Sequence, residues 1–364
     1  MRRQLVTCYL LLITCCIAAK GPFALGADIG WNTEYEAQGK NFYLNTADRD
    51  KGKATECTEL MKQLGMNAVR IRVWVDPKEH GNWCDKNDVL VKALRAKKLG
   101  MDIMIDFHYS DWWADPGKQP IPTAWKDHSY EQVKKDVAEH TIDVLTLLKK
   151  NGVTPKWVQV GNEASNGFMW PMAKLDWKDA NAESNKHYAG LFKAGYDAVK
   201  MVFPDVLVIA HLDNGWNKNL YRYNLDILVN NGAVFDMVGM SIYPFWTLQG
   251  GDGGGANASN GYKGDAYTVI NDCIDNINYV YDRYGKDVMI VETGFEVNEQ
   301  KPETMEQGRE QYALLISKCK NDTHGHCKGV FYWEPECRPS QYKLGAFHED
   351  GTPTIIMDAL KNYK

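Results

Sequence analysis

Trp157-Val158-Gln159-Val160-Gly161-Asn162-Glu163 and Val288-Met289-Ile290-Val291-Glu292-Thr293-Gly294 are two apolar, β-branched runs that each reach a glutamate. Runs of this kind read as buried strands. Burying a carboxylate at a strand end costs several kcal/mol unless a partner compensates it. A chain that does so twice invites a functional reading. Working outward, similar short runs fall at 23–29, 68–73, 102–106, 157–160, 207–211, 237–241, 288–291 and 329–331. Amphipathic helical patterns separate them, at 55–64, 89–98, 130–150, 181–202, 220–230, 266–284 and 305–318. Several close on basic residues followed by Gly or Asn, as in Lys97-Lys98-Leu99-Gly100 and Lys149-Lys150-Asn151-Gly152, which are helix stop signals.

Eight strands with helices between them, and no Pro- or Ser-rich linker, predict an α/β chain folded as a single (β/α)8 TIM barrel. The domain is expected to span 20–364. An open doubly wound sheet is the structural rival, but no G-x-G-x-x-G follows the first strand. Polar residues gather where the strands end: Arg70, Arg72 and Trp74; the run from Asp106 to Pro116; Asn162-Glu163; His211-Leu212-Asp213; Ser241-Ile242-Tyr243; Glu292; and Tyr332-Trp333-Glu334. In a barrel these ends share one mouth, where active sites sit. Two carboxyls facing each other there have the arrangement that breaks glycosidic bonds, one protonating the leaving oxygen and the other attacking the anomeric carbon.

Composition narrows the class. A chain of 364 residues with 44% hydrophobic content can bury a sizeable core. Its net charge of −5 carries no electrostatic footprint for nucleic acid. The 12 Trp and 19 Tyr suit a protein that stacks rings against the apolar faces of a ligand, although many will simply pack.

The N-terminus reads as a targeting segment: Arg2 and Arg3, then a mostly apolar run over 5–19 that is short for a bilayer span. Two endings compete. Ile17-Ala18-Ala19 fits an ordinary signal-peptidase site, whereas Leu12-Ile13-Thr14-Cys15-Cys16 is a loose lipobox that would anchor the protein through an acylated Cys15 or Cys16. Either ending predicts export, to the medium or the cell surface, with 1–19 removed or processed. The remaining cysteines, Cys57, Cys84, Cys273, Cys319, Cys327 and Cys337, permit disulfides or buried free thiols, with no C-x-x-C pair.

Taken together, Gly26-Ala27-Asp28, Val69-Arg70-Ile71-Arg72-Val73-Trp74, Asp106-Phe107-His108-Tyr109-Ser110-Asp111 with Trp113-Ala114-Asp115-Pro116, Gly161-Asn162-Glu163 and Val291-Glu292-Thr293-Gly294 resemble the motif set of glycoside hydrolase family 53, the endo-β-1,4-galactanases. A bacterial source is expected. The resemblance implies a retaining hydrolase of β-1,4-galactan and type I arabinogalactan, with Glu163 as acid/base and Glu292 as nucleophile. It implies that Asn162 hydrogen-bonds the sugar 2-hydroxyl. Arg72 or Arg70 would keep a nearby carboxylate ionised, and Tyr243 would hold the nucleophile. Asp106, His108, Trp113 and His211 are expected at the substrate together with Arg72, and Trp333 as the platform under the sugar. No cofactor is required, and a monomer is expected. His108 and His211 lack a partner ligand at i+4 and are poor zinc candidates.

One long glycine-rich insertion, 248–261, follows the sixth strand. Bacterial relatives can hold a structural calcium on this side; here Asp252, Asn257 and Asn260 are the candidate ligands, without EF-hand spacing. Other readings are a mannanase or xylanase of the same clan, a carbohydrate-binding protein on an inactive barrel, and a phosphate- or cofactor-dependent barrel enzyme. No phosphate loop supports the last.

Overall fold

A computed structural model describes residues 22–249 and 262–363. Eight strands, β1 (Ala24–Asp28), β2 (Ala68–Val73), β3 (Asp102–Phe107), β4 (Trp157–Val160), β5 (Leu207–Leu212), β6 (Met237–Ile242), β7 (Asp287–Thr293) and β8 (Cys327–Tyr332), pair in parallel and in sequence order. β8 closes on β1, so the sheet has no edge. The expected (β/α)8 barrel is therefore the fold.

Between the strands run α1 (Cys57–Leu64), α2 (Lys86–Lys98), α3 (Tyr130–Lys150), α4 (Glu183–Val202), α5 (Lys218–Asn230), α6 (Ala266–Tyr284) and α7 (Pro302–Asn321). A 3-10 segment, Ile355–Tyr363, packs on α7 in the place of an eighth helix. Three helices begin earlier than apolar periodicity indicates: side-chain caps from Asp85 and Asn217 start α2 and α5, and Pro302 at the first position starts α7. Asp85 shows this in α2, where its side chain accepts from Asn87 N and Asp88 N. Among the described residues, no helix is long and apolar enough to cross a membrane.

Alternation along the strands divides the core in two. Val69, Ile71, Ile103, Ile105, Val158, Val208 and Ala210 face the helices. Met104, Trp157, Ile209, Met289, Val291 and Phe331 fill the barrel interior, with the Trp157 and Phe331 rings edge to face at 6.1 Å. This apolar plug occupies the lower barrel, so the polar residues one step further along each strand form a separate layer above it. All six cysteines outside the N-terminal segment are buried free thiols.

Candidate active site

The cleft is built on that polar layer. Following the period of two, Arg70 on β2, Asp106 on β3, Gln159 on β4 and His211 on β5 project inward above the plug, all essentially inaccessible. Arg70 sits at the hub. Its Nη1 pairs with Asp28 Oδ2, and its Nε donates to Gln159 Oε1 at 2.7 Å. Its Nη2 reaches Asp106 Oδ2 at 2.8 Å, Asn162 Oδ1 at 2.7 Å and Glu292 Oε1 at 2.8 Å.

One cation facing three carboxyls cannot hold all three ionised. Burial would raise Asp106, but Arg70 and His108 outweigh it and hold it below the usual range. Asp28 is pushed well up, chiefly by burial against the opposing pull of Arg70. Burial also raises Glu292, to about 7, against Arg70 and the Tyr243 hydroxyl. That hydroxyl donates to Glu292 Oε2 at 3.1 Å. The guanidinium therefore pairs firmly with Asp106 and leaves Glu292 poised between its two states.

Glu292 reaches this position through an irregularity. Met289 and Val291 both point into the barrel, so strict alternation would turn Glu292 outward to the helices. The register between β6 and β7 slips here: Met240 pairs with Ile290, but Ser241 pairs with Glu292. The extra residue is a β-bulge, and it brings the Glu292 carboxyl round to the cleft. Glu163 reaches the same cleft by another route. It lies just past β4 with φ of 44°, a left-handed conformation rare for a residue with a side chain. Its N–H donates to His211 Nδ1 at 3.1 Å, and Gln119 Nε2 donates to Asn162 O at 2.8 Å and Glu163 O at 3.4 Å.

These contacts define both histidines. Because His211 Nδ1 accepts the Glu163 N–H, its proton sits on Nε2 and donates to Ser241 Oγ at 2.8 Å. His108 Nδ1 accepts from Ala114 N at 3.3 Å, and its Nε2 lies 3.0 Å from Asp106 Oδ2. Burial lowers the pKa of both rings, so both are neutral. His108 thereby ties the loop after β3 to the floor, and Asn162 Nδ2 ties it again by donating to Ala114 O at 2.9 Å.

The resulting cleft has a volume of about 200 Å³ and is lined by His108, Trp113, Ala114, Asp115, Asn162, Glu163, Tyr243, Trp246, Glu292, Trp333 and Tyr342. Of the residues expected at the substrate, Asn162, His108, Trp113, Tyr243 and Trp333 are on this surface. Asp106, His211 and Arg72 are buried behind it. Of the two arginines left open by the sequence, Arg70 meets Glu292, while Arg72 pairs with Glu334. Gln119 and Tyr342 were not singled out in the sequence; neither sits at a strand end, so no periodic signal marked them. Asp252, Asn257 and Asn260 lie outside the described residues, as do Cys15 and Cys16. Among the described residues, no group of three or more His, Cys, Asp and Glu side chains is placed to hold a metal.

A larger, mostly apolar cavity of about 410 Å³ opens at the opposite end of the barrel, beside Phe23, Trp157 and Met237. Its acids are already paired, Asp236 with Lys200 at 2.7 Å and Asp287 with Lys328 at 2.9 Å. Volume alone does not make it the reactive site; the carboxyls facing one cleft are at the other end.

Known proteins with this architecture can now be compared. The sequence profile of Glycosyl hydrolase family 53 matches residues 24–354. An endo-beta-1,4-galactanase of Bacillus subtilis (strain 168) is 32% identical over 341 residues, covering 87% of this chain and 71% of that protein. The arabinogalactan endo-beta-1,4-galactanase A of Emericella nidulans is 29% identical over 299 residues, covering 77% of each. A solved family 53 catalytic domain from Ignisphaera aggregans superposes with a TM-score of 0.77 at 26% identity, over 93% of this chain and 95% of that one. The profile match runs from the first barrel strand to the loop beyond the last, and the chain belongs to glycosyl hydrolase family 53.

Proposed function

We propose that this chain is an endo-β-1,4-galactanase that cleaves galactan and type I arabinogalactan with retention of anomeric configuration. The observation that carries the reading is the presence of Glu163 and Glu292 on one cleft that Trp113 and Trp333 also line, in a chain whose named relatives are galactanases. Glu163 acts as the acid, protonating the departing glycosidic oxygen. Glu292 attacks the anomeric carbon, and the glycosyl-enzyme ester forms as the old bond breaks. Glu163, now a carboxylate, takes a proton from water, which displaces Glu292 and restores both groups. Asn162 keeps one Nδ2 hydrogen beyond its bond to Ala114 O and offers it to the sugar 2-hydroxyl. Two carboxyls and water supply all the chemistry, so no step needs a cofactor or a metal.

Product analysis on galactan, mannan and xylan side by side tests the substrate. Internal cleavage of galactan should dominate, and NMR of the first products should show the β-anomer. Retention also requires the two carboxyls to sit about 5–5.5 Å apart in a substrate-bound crystal structure. Faster cleavage of mannan or xylan would assign the protein to a neighbouring specificity. Binding without product would make it a lectin-like barrel, and an α-anomer would replace the mechanism.

Export belongs to the same reading and rests on the basic start and apolar run of residues 1–19. A polymer too large to enter a cell must be cut outside it. Mass spectrometry of protein from its own host should find the N-terminus processed, with lipid on Cys15 or Cys16 if the lipobox is used. An intact Met1 would rule out export, and an unmodified start near Lys20 would rule out only the anchor.

A further inference from the structure

Arg72 is a fully buried cation with too few acceptors. Its Nη1 pairs with Glu334 Oε1 and lies 3.9 Å from Asp28 Oδ1, while its Nε and Nη2 have no hydrogen-bond partner. Guanidinium N–H groups left bare in a dry interior are costly. Three indole faces surround them instead: the guanidinium carbon is 4.4 Å from the Trp113 ring centroid, 5.0 Å from Trp74 and 5.4 Å from Trp31. A desolvated cation on such faces makes cation–π contacts at the strong end of their range.

The same pair holds the rings that reach the cleft. Trp31 packs edge-on against Trp113 at 5.8 Å and Trp333 at 5.2 Å, and Trp113 and Trp333 lie 5.9 Å apart. Of the four indoles, only Trp113 and Trp333 line the cleft. Glu334 follows Trp333 directly, with φ of 41°, and its second oxygen accepts from Trp31 N at 3.1 Å. Gly30 allows this approach, since a Cβ there would run into both Arg72 Nη1 and Glu334 Oε1.

We infer that the buried Arg72–Glu334 pair is the positioning element of the cleft's aromatic wall, fixing the angle between Trp113 and Trp333 and so setting affinity for a galactosyl ring without touching it. The inference rests on the reading of Trp113 and Trp333 as sugar-stacking residues. The axial 4-hydroxyl of galactose leaves a patch of C–H groups on one ring face, and a stacking surface must meet that patch at the right tilt.

The test compares full-length variants on galactan, reading KM, kcat, near-UV circular dichroism and melting temperature. Arg72→Met alone strands the Glu334 charge in the interior, so it is paired with Glu334→Gln, which removes both charges together. Arg72→Lys, which keeps the ion pair and gives up only the planar guanidinium on the indole faces, is the milder perturbation should the double variant fail to fold. The expected result is a KM raised about tenfold, equivalent to one decade of affinity, with kcat within about twofold and an altered tryptophan dichroism signal. Arg72→Lys shifts KM in the same direction by less. Trp113→Ala and Trp333→Ala separate this idea from the reading beneath it. If they raise KM while every pair variant lowers only the melting temperature, the pair is merely structural and the inference is overturned. If they leave KM unchanged, the stacking reading fails and takes the inference with it.

Discussion

Glu292→Ala is expected to lower kcat on β-1,4-galactan by on the order of 10⁵-fold, since a covalent mechanism cannot proceed without its nucleophile. The barrel should survive the change. Arg70 keeps Asp106 at 2.8 Å and its pairing with Asp28, so no buried cation is left alone. The variant should in fact be the more stable protein above neutral pH. Burial raises Glu292 from 4.5 to about 7 in the folded state, so the native protein binds more protons than the unfolded chain between those values. Stability then falls as pH rises through that window. Removing the carboxyl should therefore raise the melting temperature at pH 8 and do little near pH 4. A variant that kept more than about a hundredth of the activity would show that Glu292 is not the nucleophile. A gain confined to acid pH would contradict the charge argument.

Glu163→Ala should give a different pattern. Loss of the proton donor should cost about 10²–10⁴-fold on galactan, where the leaving group is a sugar hydroxyl. A galacto-oligosaccharide carrying a dinitrophenyl leaving group needs little protonation, so its first step should proceed and the glycosyl-enzyme should accumulate. Azide, which needs no base, should then restore turnover and release a β-glycosyl azide. Backbone interactions at position 163 are retained in the variant: His211 Nδ1 still accepts its N–H and Gln119 still donates to Asn162 O. The expected defect is thus chemical rather than structural. Equal losses on both substrates, with no azide product, would remove Glu163 from the acid/base role.

Legibility differed between elements for identifiable reasons. Strands β2 and β4 match the sequence bounds to the residue; both are short runs carrying β-branched residues, and a breaker precedes each, Gly65 before β2 and Pro155 before β4. The hairpin of Gly167–Phe168 with Ala173–Lys174 was not anticipated; two residues per strand carry no period. Trp333 and Tyr243 lie where strand-end reasoning put them, on the cleft surface. Arg72, Asp106 and His211 share the inward parity of residues on that surface, yet they lie deeper, behind it.

What the sequence determined by itself was the inward and outward faces of the strands that alternate regularly, and the end of the barrel that carries polar groups. Period-two alternation and the apolar runs encode both, and they were sufficient for the (β/α)8 architecture. Only the tertiary structure decided depth and partner. Arg70 and Arg72 point the same way, about 6.6 Å apart along β2 at the usual rise of a strand. Register with β3 sets Arg70 beside Met104 and Arg72 beside Asp106, and closure of the barrel brings Glu292 to the first and Glu334 to the second. Alternation alone would have sent Glu292 to the helices, and a one-residue slip between β6 and β7 turned it to the cleft. That slip arises from pairing across strands, so it has no signature in the order of residues along either one.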